Sequence, residues 1–68
     1  MENYNMVFGE VIRKKFVNEN EGEIVFRTLQ SEELVFTVSG KAFHAVEVKD
    51  LGNISYQDEK LISFSDRI

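Results

Sequence analysis

Clusters of small polar residues punctuate this chain about every ten residues, and large apolar and polar side chains alternate between them, the pattern of short strands joined by tight turns. Four clusters are clear: Asn18-Glu19-Asn20-Glu21-Gly22, Gln30-Ser31-Glu32, Ser39-Gly40-Lys41 and Asp50-Leu51-Gly52-Asn53. Gln57-Asp58-Glu59-Lys60 is a weaker fifth. Between them, Ile24, Phe26 and Thr28 alternate with Glu23, Val25 and Arg27. Leu34, Phe36 and Val38 alternate with Val35 and Thr37, and Ile62 and Phe64 with Ser63 and Ser65. Period-two alternation sends one set toward a core and the other toward water. The stretch from Asn18 to Gly22 reads as a hairpin loop.

Two segments fit more than one period. From Val7 to Phe16, Phe8, Glu10, Ile12, Lys14 and Phe16 alternate as in a strand, while Val7, Phe8, Val11, Ile12, Lys15 and Phe16 also form a helical stripe. Gly9 and the β-branched Val7, Val11 and Ile12 each carry a helix penalty and favour the strand. From Ala42 to Leu51, Gly52 could cap a helix, but Val46 and Val48 alternate with Glu47 and Lys49, again favouring a strand. Phe8, Phe16, Phe26, Phe36 and Phe64 then all fall on inner faces. The fold class is mostly β: a small antiparallel barrel of five to six strands or a compact sandwich, either of which protects sheet edges. The alternative is α+β with an N-terminal helix at about 5–17. Residues 1–5 read as a flexible tail and 6–68 as a single small β-domain. The expected core is Phe8, Ile12, Phe26, Phe36, Val46 and Phe64.

The chain has 68 residues, room for one domain. Domains this small bury only ~60% of the surface their unfolded chain exposes and are commonly supported by disulfides, a metal or a second subunit. With no cysteine and a single histidine, His44, neither a disulfide nor a conventional zinc site is expected. That leaves an efficient core or self-association, and a homodimer is expected. The absence of cysteine suits a reducing compartment. The acidic, polar start, Met1-Glu2-Asn3-Tyr4-Asn5, does not resemble a secretory leader, so a cytoplasmic location is expected. The composition is compatible with bacterial or phage origin.

Chemistry-bearing residues are few. His44 is the only side chain that ordinarily titrates near neutrality, and spacing offers it no partner, so it reads as a histidine at the core's edge. Arg13-Lys14-Lys15 is the one basic run, but in a strand its members alternate faces. With a net charge of −4, it reads as part of a solvated surface rather than a phosphate-binding stripe. Glu19, Glu21, Glu23, Glu32 and Glu33 lack the glycine and closing glutamate of a calcium loop and read as charged hairpin tips. Ser39-Gly40-Lys41 lacks the upstream glycine of a phosphate loop. No catalytic residue, cofactor site or metal site is expected, and enzymatic activity is not.

Tyr4, Phe43 and Tyr56 stand outside the core alternation, as does the terminal Ile68. Exposed aromatics are typical binding hot spots, so these four form the candidate protein interface. The sequence therefore points to a non-catalytic protein-interaction module: a small regulator, inhibitor or assembly subunit. The alternative is a small-barrel nucleic-acid binder using Arg13, Lys14 and Lys15, with Arg27 and Lys41.

Overall fold

The computed structural model describes residues 5–58 and 60–66. Five strands and one short helix follow one another as β1 (Asn5–Asn18), β2 (Glu21–Thr28), β3 (Glu33–Ser39), α1 (Gly40–Ala45), β4 (Leu51–Gln57) and β5 (Lys60–Asp66). The strands form one antiparallel sheet in the order β3-β2-β1-β4-β5. The sheet curls until β3 and β5 come into contact, yet the two are not hydrogen-bonded neighbours. The mostly β, antiparallel expectation is met with five strands, and the barrel stays open. This order, with a helix between β3 and β4, is the connectivity of an OB-fold left partly open.

Strand β1 organises the curl. Its N-terminal part, Asn5–Glu10, pairs with β4, and its C-terminal part, Gly9–Asn18, pairs with β2. The alternative helix at about 5–17 is thus replaced by a 14-residue strand, and Asn5, expected in the tail, already pairs with Tyr56. Gly9 lies where both neighbours meet β1. A Cβ there would sit 2.7 Å from the Arg27 carbonyl oxygen and 2.9 Å from Ile54 Cδ1, so only glycine lets the strands approach this closely. Just beyond, a bulge shifts the register between Val11 and Arg13. Val7, Gly9 and Val11 face inward before it, and Lys14 and Phe16 after it, because their partners Ile54, Thr28, Phe26, Ile24 and Gly22 share that face.

The bulge overturns one expectation. An unbroken alternation would send Phe8, Ile12 and Phe16 inward together. One inserted residue reverses the faces instead, so Phe8 and Ile12 lie half-buried on the outer side and Val11 takes the core position. Phe16 returns to the inner side but remains 62% exposed at the rim. The observed core is Val11, Ile24, Phe26, Phe36, Val38, Phe43, Val46 and Ile54, with Leu61, Phe64 and Tyr56 packed against it. Phe26 is central, its ring 5.9 Å from that of Phe36 and 5.2 Å from that of Phe64.

The second ambiguous segment is where a strand was expected and a helix forms. The Ser39 hydroxyl accepts a hydrogen bond from the Ala42 backbone N–H at 3.2 Å, capping α1, and Ala42 and Ala45 are strong helix formers. Phe43 and Val46, three apart, both reach the core, as one helical face allows. The turn expected at Asp50–Asn53 falls instead at Val48-Lys49, where Lys49 adopts a φ of 83°. Leu51-Gly52-Asn53 opens β4, and Gly52 pairs with Gly9.

Phe43 lies directly over Gly22 of β2. A Cβ at Gly22 would overlap the Phe43 ring, so the missing side chain is what lets α1 sit on the sheet. Gly22→Ala should therefore cost about 1–3 kcal/mol by overpacking, and Phe36→Ala about 3–5 kcal/mol by leaving a cavity beside Phe26. Chemical denaturation of the two variants beside the parent protein measures both.

Candidate functional site

The open side of the sheet is a cleft of about 450 Å³. Its walls are the end of β3 (Thr37, Val38, Ser39) and most of β5 (Lys60 to Phe64), and Ala42, Ala45 and Val46 of the α1 region form its floor with Ile24. Inward-facing Val38 and Phe64 and outward-facing Thr37 and Ser63 all border it, which requires a gap through the wall rather than a dent on one face. Apolar side chains dominate the lining. Lys60 is the only charged residue among the described residues that line it. Ala45 and Ile62 are exposed at its margin.

The helix is held at this position from the other side by Lys14. Because the bulge turns Lys14 inward, its ammonium donates a hydrogen bond to the Val46 carbonyl at 2.7 Å and lies 4.4 Å from the Phe43 ring centroid. Val46 is the C-cap of α1, where free carbonyls favour a cation. The Phe43 ring also meets Phe16 edge-on at 6.5 Å.

The basic run is thus split. Lys14 belongs to the inner side, Lys15 pairs in register with Glu23 on the outer face, and Arg13 lies opposite Val25. Arg27 sits between Glu10 and Glu33 in the sheet and forms an ion pair with Glu33 at 3.4 Å. OB-folds that hold oligonucleotides use the β2–β3 face with the β1–β2 and β4–β5 loops. Here the outer β2–β3 face carries Glu23, Val25, Arg27, Glu33, Val35 and Thr37, and the β1–β2 turn is Glu19-Asn20. These positions hold no aromatic ring on which a base could stack.

Of the four candidate interface residues, the structure draws two inward. Phe43 is 9% exposed, and Tyr56 is half-buried with its ring 5.4 Å from that of Phe36. Both cap the core. Tyr4 and Ile68 lie outside the described residues. His44 is exposed on α1, beside the Phe43 ring at 5.4 Å. Among the described residues no group of three or more His, Cys, Asp or Glu side chains could hold a metal ion, and no helix is long and apolar enough to cross a membrane. Sequence reading missed the cleft: Ala45, Lys60 and Ile62 carry no local signal, since β3 and β5 meet only through the curl of the whole sheet.

The Lys14 clamp yields a direct test. Lys14→Met keeps the apolar stem but removes the hydrogen bond and the cation over Phe43, which should cost about 1–2 kcal/mol. Amide hydrogen exchange should quicken first at Gly40–Ala45, before any other element is affected.

No family model and no curated protein matches the sequence. Solved structures do share the fold. A protein from Proteus penneri ATCC 35198 superposes with a TM-score of 0.87 at 18% identity, covering 97% of this chain and 98% of that one. A DUF2500 protein from Klebsiella pneumoniae gives a TM-score of 0.80 at 26% identity, over 94% of this chain and 97% of that one. This chain is similar in fold to these bacterial proteins from end to end.

Proposed function

We propose that the protein is a non-catalytic interaction module, a small regulator, inhibitor or assembly subunit that binds another protein through the cleft. The observation that carries this reading is the open sheet: two strand edges without hydrogen-bonded neighbours flank an apolar cleft. Strand edges left unpaired are templates for another chain, and proteins ordinarily blunt or cover them. An apolar cleft with few polar groups is also the usual form of a binding site.

The partner is a protein of different sequence. The expected homodimer drew on Phe43 and Tyr56, and both are committed to this chain's own core. The nucleic-acid alternative loses support in the same way, since Lys14 is occupied by Val46 and Phe43.

Ala45→Arg tests the reading, because it plants a long charged side chain at the cleft margin on an exposed helical position. A partner recovered from the native host by the parent protein should be lost with Ala45→Arg and retained with Glu19→Arg at the far hairpin tip. The two variants should keep the parent's circular dichroism. Equal recovery by all three would contradict the proposal. Duplex DNA and structured RNA should show no gel retardation at physiological salt, and retardation that weakens steeply as salt rises would restore the alternative.

A further inference from the structure

We infer that the cleft is a strand-acceptor site: a partner's extended segment of alternating apolar residues joins the free edge of β3, antiparallel to it, and sets an acidic side chain against Lys60. The inference rests on the interaction role proposed above and adds where the partner lies and what its sequence must carry.

Three features of the cleft select this occupant. First, its two walls are strand edges. β3 and β5 each lie two antiparallel steps from β1 and so run in the same direction. Direct closure would make a parallel pair, whereas a strand between them can be antiparallel to both. An apolar small molecule would leave the main-chain donors and acceptors of both edges without partners, and a peptide strand supplies them. Second, the two edges differ. β3 keeps an unbroken register with β2 from Glu33 to Ser39, while β5 is bulged at Ile62, because Ser55 pairs with Ser63 and Tyr56 with Leu61. A bulge disrupts pairing, so β3 is the acceptor. The one charge on β3 is Glu33, at the end away from the cleft and paired with Arg27, so no charged side chain guards the edge from Leu34 to Val38.

Third, the charge is one-sided. The chain as a whole carries 12 acids against 8 bases, yet the only charged side chain among the described lining residues is Lys60. A partner acid is attracted there and a partner base repelled, which selects among strands more than it tightens binding. Alternate side chains of the added strand would rest on Ile24, Val38, Val46 and Phe64.

Selection of a displayed library of short random peptides against the intact protein tests the inference, with amide chemical-shift mapping of the peptides it enriches. The enriched peptides should alternate apolar residues, contain Asp or Glu, and perturb the amides of Thr37–Ser39 and Lys60–Phe64. Lys60→Glu, an exposed change that spares the core, should weaken acid-bearing peptides roughly tenfold and shift the selection toward Lys or Arg. Failure to enrich any peptide, enrichment without alternation, or a charge preference indifferent to Lys60→Glu would overturn the inference. So would shifts of the same amides on raising protein concentration without peptide, which would make a second copy the occupant. A peptide that maps to another surface would overturn the strand-acceptor site while leaving the interaction role standing, and loss of the native partner with Ala45→Arg tests that role independently.

Discussion

The contact between Phe43 and Gly22 is the constraint on which the rest of the structure depends. A short helix has little stability of its own, so α1 exists because one large side chain can reach the core beneath it. Any side chain at Gly22 would occupy the space of the Phe43 ring. With Phe43 seated, Val46 also becomes buried, its carbonyl comes within reach of Lys14, and Ala42 and Ala45 are left facing the gap between β3 and β5. The cleft floor is therefore a by-product of the packing that holds the helix.

The bulge in β1 supplies the other half of the arrangement. It lets one strand serve β4 at its start and β2 at its end, and it turns Lys14 from the outer face to the inner one. The loop before β4 fits against the same place: the Val11 backbone N–H donates to the Asp50 carbonyl at 2.9 Å, and the Lys49 N–H to the Val11 carbonyl at 2.7 Å. Extra twist at a bulge tightens the curl. In this protein the curl brings β3 and β5 into contact but leaves their edges unjoined.

How much of this was legible in the sequence follows from how local each feature is. β2, β3 and the end of β5 obey simple alternation, so Phe26, Phe36 and the partly buried Phe64 fall where the sequence put them. Phe8 and Ile12 do not, because a single inserted residue inverts the pattern and nothing in the composition of Val11-Ile12-Arg13 marks it. The helix had a signal that alternation outweighed: Ser39 followed by Ala42 and Ala45, with Phe43 and Val46 three apart. Two β-branched residues, Val46 and Val48, suggested a strand, yet Val48 is simply exposed in a turn. The aromatic residues set aside as interface candidates turned out to need a destination rather than a partner, and the helix supplied one for Phe43. The cleft lay beyond local reading altogether, since its walls are 21 or more residues apart in sequence between Ser39 and Lys60.

The account depends most on β3 and β5 being free edges in the isolated protein, and residue-resolved amide hydrogen exchange measures this directly. Residues of β2 from Gly22 to Arg27 and of β4 from Gly52 to Tyr56 have neighbours on both sides, so their amides should be protected at successive positions. Along β3 and β5 protection should alternate, with every second amide exchanging almost as freely as in an unfolded chain. Protection at consecutive residues along both β3 and β5 would mean that the edges are already paired, and would contradict the account.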